Sequence, residues 1–264
     1  DLSGKNIEGV DLSRFEFLEI LDLSDAKGLT TQLNTIPNKA SIRTLNLSNV
    51  DVTHFNFPTL TGLKKLVCNG SLTAAQFNAI PAEVRASIEH LELNKVGSVG
   101  FNFSGFTNLK TLKLKNTGGF NAEQFNNIPN KASIENLDLT CVDVEDFDFS
   151  GFTSLKKLDL HSTKGFTVKQ FNSIPSKAFI EHLGLNYVNV TDFDFSGLGS
   201  LRNLSLRDVS GLTAKQFNSI PSKAFIEHLD LVRVNLVGFD LSEFKGRDTK
   251  ERLNLLERSQ CYNF

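Results

Sequence analysis

The chain has 264 residues, of which 40% are hydrophobic and 22% are charged, and its formal net charge is −2. A net charge this close to zero excludes a general electrostatic attraction to nucleic acids or acidic membranes. No stretch contains the roughly 18 consecutive apolar residues that a membrane-spanning helix needs, so the sequence predicts no membrane insertion.

The dominant feature is a tandem repeat. Residues 1–40 match the later part of a 46-residue block, and complete blocks follow at 41–86, 87–132, 133–178 and 179–224, before 225–244 begin another. Each block contains a short and a long repeat, because Leu155 follows Ile134 by 21 residues and Ile180 follows Leu155 by 25. Residues 1–244 are therefore predicted to form a solenoid of about eleven repeats, the first of them partial.

Each repeat opens with an LxxLxL motif that predicts a short β-strand. In the third block Leu137 and Leu139 would face inward while Asp138 faces outward. Stacked repeats would then form a parallel sheet, which requires a crossover between successive strands.

The crossovers differ between the two repeat types. In long repeats, Thr167 and Gln170 have the spacing of a capping box, and Phe171 and Ile174 share one face of a short helix that Pro175 ends. Short repeats carry an extended run of phenylalanines, such as Phe147 and Phe149, which we expect to stack between neighbouring repeats as an apolar spine.

The pattern resembles the leucine-rich-repeat family in a bacterial-like form, and the resemblance covers nearly the whole chain. It implies an α/β solenoid: a curved horseshoe with a parallel concave sheet, short convex helices in the long repeats and a C-terminal capping helix. One departure is that valine replaces the family's buried turn asparagine in the short repeats, at Val50, Val96, Val142, Val188 and Val234. These turns must therefore find other hydrogen-bond partners.

The two ends are expected to differ from the repeats between them. Residues 245–264 are predicted to form a C-terminal cap, with a helix at 250–259 that contains Leu253, Leu255 and Leu256. At the other end the chain opens inside a repeat, at Asp1 and Leu2, so we expect a strand edge from which upstream residues have been cut away or which another chain covers. Self-association through this edge is one expectation.

The outward positions of the strands form two columns. The first alternates in charge, which predicts a ladder of ion pairs between adjacent strands; it contains Glu89, Lys110, Glu135, Lys156, Glu181, Arg202 and Glu227. The second contains His90, His182 and His228. Each of these histidines lies at least two strands from the next, about 10 Å, so they cannot share one metal ion. No metal site, cofactor site or catalytic residue is predicted.

Positions at and after the strand ends vary more than the scaffold positions. Tyr187 is the only aromatic residue among them, and tyrosine and arginine are favoured anchors of protein interfaces. The predicted partner-binding patch consists of His161, His182, Tyr187, Asn203, Arg207, His228 and Arg233.

The sequence therefore predicts a protein-binding scaffold without catalytic activity. Near-identical repeats, such as residues 169–183 and 215–229, favour a bacterial effector or host-interaction role in virulence. The alternatives are a structural, self-assembling protein and the targeting part of a longer enzyme. Three scattered cysteines, Cys68, Cys141 and Cys261, form no disulfide framework. This pattern slightly favours a reducing compartment, or else a protein secreted or translocated by a bacterium.

Overall fold

A computed structural model describes residues 1–29, 35–52, 60–70, 72–221 and 223–244. It divides into two compact parts, Asp1–Ser133 and Ile134–Phe264, called here the N-terminal half and the C-terminal half. The predicted cap at 245–264, with its helix at 250–259, lies outside the described residues.

Within the described residues, each half contains five short strands. In the N-terminal half they are β1 (Ile20–Asp22), β2 (Thr44–Asn46), β3 (Lys65–Val67), β4 (His90–Glu92) and β5 (Thr111–Lys113). In the C-terminal half they are β6 (Asn136–Asp138), β7 (Lys157–Asp159), β8 (His182–Gly184), β9 (Asn203–Ser205) and β10 (His228–Asp230). Within each half, neighbouring strands pair in parallel and in chain order. The predicted strands and their parallel pairing are confirmed.

The register keeps the leucines of successive repeats opposite one another. Leu158 of β7 lies opposite Leu183 of β8, which lies opposite Leu204 of β9. All three side chains are buried. Because the side chains of a strand alternate between its faces, this register places the residues on either side of each leucine on the outward face.

Five short helices form crossovers in the part of the chain that the structure describes. They are α1 (Ala74–Asn78), α2 (Ala82–Ser87) and α3 (Ala122–Asn126) in the N-terminal half, and α4 (Val168–Ser173) and α5 (Ala214–Asn218) in the C-terminal half. The predicted capping boxes are confirmed at α1, α3, α4 and α5, which begin after Thr73, Asn121, Thr167 and Thr213.

A second helical turn follows the proline of each long repeat, which sequence reasoning did not predict. It is α2 in one repeat and a 3-10 turn in four others: Lys39–Ser41, Lys131–Ser133, Lys177–Phe179 and Lys223–Phe225. Where this turn ends in serine, the hydroxyl ties it to the preceding repeat. Ser87 Oγ donates to the Leu63 carbonyl at 2.7 Å, and Ser133 Oγ donates to the Leu109 carbonyl at 2.7 Å.

The glutamine of the capping box also bridges two repeats. Gln170 Oε1 accepts from the Thr167 backbone N–H at 2.8 Å, which closes the box. Its Nε2 donates to the carbonyl oxygens of Val144 at 2.7 Å and Phe147 at 3.1 Å, both in the preceding repeat. Gln216 makes the same contacts with Val190 and Phe193. One side chain thus caps a helix and also donates hydrogen bonds to backbone carbonyls of the extended segment in the preceding repeat.

The phenylalanines form the predicted spine. In the C-terminal half, the Phe171 ring stacks on Phe193 with centroids 4.6 Å apart and meets the edge of Phe195 at 5.5 Å. In the N-terminal half, Phe77 stacks on Phe101 with centroids 4.3 Å apart. These rings are buried, so most of the phenylalanine content is explained by packing.

The turns that lack the buried asparagine find partners in the backbone of the next repeat. The backbone N–H of Cys141 donates to His161 O at 2.8 Å, and that of Tyr187 donates to Arg207 O at 2.9 Å. This alignment requires a left-handed backbone at the donor residue, with φ of +59° at Cys141 and +61° at Tyr187. Val142 and Val188, the next residues, are buried.

Candidate functional site

The outward face of the C-terminal half is a grid of side chains two rows deep. In one row Lys157, His182, Asn203 and His228 lie opposite one another on successive strands; in the other the order is Asp159, Gly184, Ser205 and Asp230. The strand register alone therefore brings together His182, Asn203 and His228 of the predicted patch. His182 and His228 are separated by Asn203, as the sequence predicted.

A depression of about 400 Å³ opens over this grid. Its lining includes both rows and Arg207. Gly184 creates the space, because it is the only residue of its row without a side chain. The carboxylate of Asp159 leans over this gap: a β-carbon placed on Gly184 would lie 2.7 Å from Asp159 Oδ1.

Most polar groups of the depression are held by neighbours. Arg207 contacts Asp230 Oδ2 through both Nε and Nη2 at 3.0 Å. Asn186 Oδ1 accepts from Ser205 Oγ at 2.6 Å and from the Arg207 backbone N–H at 2.8 Å. Asn186 therefore fixes the backbone from which Arg207 projects.

His182 is oriented by Asn203. Asn203 Nδ2 lies 2.8 Å from His182 Nδ1, so the amide donates to the ring. A neutral His182 then carries its proton on Nε2. The ring consequently presents a donor, while the oxygen of the Asn203 amide remains an acceptor.

His161 and Tyr187 form a second contact beside the depression. Their rings meet edge to face with centroids 5.2 Å apart. Tyr187 is 50% exposed, and Arg233, held 3.3 Å from Asp208, has a side chain that is 63% exposed. The seven predicted residues thus divide into four that line the depression and three that stand in the turns next to it.

Tyr187→Asn should stabilise the fold, because tyrosine holds a left-handed backbone (φ +61°) that asparagine adopts more easily. We expect the free energy of unfolding to rise by about 0.5–1 kcal/mol, part of the ~1–2 kcal/mol that this conformation costs an ordinary residue. Urea unfolding measures the change, and Tyr187→Phe, which keeps the backbone strain, is the matched control. Lower stability in Tyr187→Asn than in Tyr187→Phe would show that the ring contact with His161 outweighs the strain.

The predicted ladder of ion pairs is confirmed at several steps. In the N-terminal half Glu89 lies 3.0 Å from Lys64 and 2.7 Å from Lys110, and hydrogen bonds from both ammonium groups lower the pKa of Glu89 to about 2. In the C-terminal half Lys156 pairs with Glu135 at 2.8 Å and Arg202 with Glu227 at 3.1 Å. Because these charged groups are already paired with one another, they are less available to a binding partner.

Asp159 differs from the other acidic groups of this face. Burial raises its pKa above the usual aspartate value, and the neighbouring Asp138 carboxylate raises it further. Its contacts with Thr140 Oγ1 and the His161 N–H are long, at 3.4 Å each. Neither Asp138 nor Asp159 forms an ion pair with any residue that the structure describes.

We expect Asp159→Asn to raise the stability of the fold at neutral pH. A carboxyl whose pKa is raised by folding destabilises the folded state when it is charged, and this penalty fades as the pH falls toward the ordinary value of 3.8. The increase in stability that the neutral amide brings should therefore be largest at pH 7 and smallest near pH 4. Thermal unfolding of Asp159→Asn and of the unaltered chain across this pH range measures the increase. A gain that is independent of pH would contradict the assignment to ionisation.

The described residues contain no group of three or more histidine, cysteine, aspartate or glutamate side chains placed to hold a metal ion. Among them, too, no helix is long and apolar enough to cross a membrane. Cys68 is buried, which raises the pKa of its thiol to about 12, while Cys141 is exposed.

Comparison with known proteins supports the architecture. No family model matches the sequence, and no curated protein matches it significantly. Among solved structures, the chain is similar to an internalin from Listeria monocytogenes, with a TM-score of 0.55 and 16% identity over 83% of this chain and 69% of the internalin. The chain has the leucine-rich-repeat fold. A leucine-rich-repeat protein from Leptospira interrogans aligns with a TM-score of 0.40 and 14% identity, covering 80% of this chain and 69% of that one.

Sequence reasoning missed the centre of this leucine-rich-repeat surface. Gly184 was a detectable signal, because it is the only glycine at the outward position between the last two leucines of the LxxLxL motifs. The adjacent acidic position, Asp159, could be located in the same column. That its carboxylate leans into the gap could not be anticipated, because this depends on side-chain orientation.

Proposed function

We propose that the chain is a non-catalytic scaffold that binds a partner protein through the outward face of its C-terminal half. The observation that carries this proposal is the depression over Gly184, with Tyr187 and Arg233 exposed beside it. Protein interfaces are commonly anchored by tyrosine and arginine around a pocket that excludes water. The leucine-rich-repeat fold supports the proposal by presenting these side chains from the turns that follow β8 and β10 of one parallel sheet.

A paired capture experiment tests the proposal. One bait is the unaltered chain, and the other carries His182→Ala, Tyr187→Ala and Arg207→Glu. A control bait carries Lys169→Ala, Phe179→Ala and Lys215→Glu, which are exposed residues of the same half outside the lining of the depression. We expect a partner retained by the first and control baits and lost by the second. Equal recovery on all three folded baits would contradict binding at this face.

We further propose that the partner is a host protein and that the chain is a bacterial effector. The support is the near-identity of successive repeats, such as residues 169–183 and 215–229, which indicates recent expansion. Capture from host-cell lysate and from bacterial lysate tests this role. Specific recovery only from the bacterial lysate would contradict it.

Self-association is a second candidate function, favoured by an apolar cluster near β1. Phe15, Phe17 and Ile20 are 50%, 84% and 65% exposed. Backbone hydrogen bonds from Leu2 and Gly4 to Asp22 and Ser24 lay the first residues alongside β1. Light scattering over a concentration series should show a mass that rises with concentration and a smaller rise for Phe17→Ser. A constant monomer mass would exclude this function.

A further inference from the structure

We propose that the depression over Gly184 receives the guanidinium group of an arginine side chain contributed by the partner, with Asp159 as its counter-charge. This inference rests on the proposed binding function and specifies which side chain of the partner enters the depression. Three features support it: the space at Gly184, the charges around that space and the hydrogen-bond acceptors that face it.

The space suits a side chain rather than a second protein surface. The depression has a volume of about 400 Å³. Its floor lies at Gly184 and Ser205, between the side chains of Asp159 and Asp230. A long, thin side chain fills such a gap between strands, whereas a helix or strand would remain at the rim.

One carboxylate inside the depression forms no ion pair with the residues that the structure describes. Of the two carboxylates that line it, Asp230 is neutralised by Arg207 at 3.0 Å, while Asp159 forms no ion pair with the described residues. Lys157 also lines the depression, and Lys157 and His161 both attract the Asp159 carboxylate electrostatically, but the Lys157 ammonium does not come within 4.0 Å of it. Asp138, opposite Asp159 on the neighbouring strand, adds to the negative potential and is likewise without an ion pair.

The acceptors favour arginine over lysine. The depression is lined by three acceptors: the Asp159 carboxylate, the Asn203 amide oxygen and the Ser205 hydroxyl. The Ser205 hydroxyl donates its hydrogen to Asn186 Oδ1. Its lone pairs are therefore directed to other donors. A planar guanidinium carries five N–H donors in a fixed fork and can serve several acceptors at once, while an ammonium acts as a point charge. The imidazole rings of His182 and His228 add flat walls.

The test uses small probes and the full chain labelled with ¹⁵N. Nα-acetyl-arginine amide is titrated to 50 mM, with Nα-acetyl-lysine amide and the neutral isostere Nα-acetyl-citrulline amide alongside, and backbone amide shifts are recorded. We expect saturable shifts at Gly184 and Ser205 with the arginine probe, with a Kd on the order of millimolar. Lysine should bind at least several-fold more weakly, and citrulline should give no saturable shift. No saturation with arginine, or equal saturation with citrulline, would overturn the inference.

Two variants separate charge from shape. Asp159→Asn removes the counter-charge, and Gly184→Ala keeps it but places a β-carbon 2.7 Å from the present position of Asp159 Oδ1. Both should weaken the arginine probe at least tenfold. The matched controls are Asp22→Asn, in the same outward column of the N-terminal half, and Gly199→Ala, where a β-carbon approaches no atom closer than 4.0 Å. Unchanged binding in Asp159→Asn would overturn the inference.

Capture with the Asp159→Asn chain distinguishes this inference from the proposed function. Loss of the partner by this bait and by the His182, Tyr187 and Arg207 triple variant supports both. Retention by Asp159→Asn together with loss by the triple variant preserves the binding face and overturns the arginine site. Retention by all baits overturns binding at this face and the arginine site with it.

Discussion

Phe171→Ala should lower the free energy of unfolding by about 4 kcal/mol, within the 3–5 kcal/mol typical of removing a buried phenylalanine. The Phe171 side chain has no exposed surface, and its ring contacts Phe193 and Phe195 of the next repeat. The substitution therefore removes contacts both inside one repeat and between two. Because solenoid stability depends on the interface between neighbouring repeats, the loss should weaken the stack as well as the repeat itself.

Urea unfolding followed by circular dichroism measures this change, and Phe179→Ala is the matched control. Phe179 lies eight residues later in the chain but is 62% exposed, so its truncation should change stability by less than about 0.5 kcal/mol. Similar losses in the two variants would contradict the spine as the source of stability and would assign a structural role to the exposed ring.

Sequence periodicity was sufficient to predict the strands, their parallel order and the spine. The reason is that LxxLxL spacing alone decides which side chains alternate inward, and the 21- and 25-residue repeats decide which leucines meet. Columns of outward residues followed from the same register, so the grouping of His182, Asn203 and His228 was predictable. The helical turn after each proline was not, since it is stabilised by contacts such as Ser87 Oγ to Leu63 O, between residues 24 positions apart.

The candidate site was only partly predictable for a related reason. The variable positions that sequence reasoning selected lie at the rim, at Tyr187 and Arg233, or on the walls, at His182 and Arg207. The centre is defined by an absent side chain at Gly184 and by the Asp159 carboxylate, which forms no ion pair with the residues that the structure describes. Whether a charge is paired depends on side-chain distances: Asp230 has Arg207 at 3.0 Å, and Asp159 has no such cation among the described residues. Alternation of residue types does not contain this information.

Gln170→Glu should destabilise the fold by about 3 kcal/mol at pH 7, because it keeps the acceptor role of this side chain and removes its donor role. A carboxylate can still accept from the Thr167 N–H and close the capping box. It cannot donate to the Val144 and Phe147 carbonyls, which lie 2.7 and 3.1 Å from the present Nε2. The two carbonyl oxygens would then be buried opposite a negative charge that offers no donor. Each hydrogen bond lost in this way lowers the free energy of unfolding by about 1–3 kcal/mol.

The pH dependence of this variant identifies the cause. A protonated carboxyl regains one donor, and burial among carbonyl oxygens raises the pKa of the new carboxyl, so the difference from the unaltered chain should narrow as the pH falls from 7 to 4. Lys169→Glu, at the exposed neighbouring position, controls for the added negative charge and should be nearly neutral. A loss in Gln170→Glu that is the same at both pH values would contradict the ionised carboxylate facing the Val144 and Phe147 carbonyls as the cause of the destabilisation.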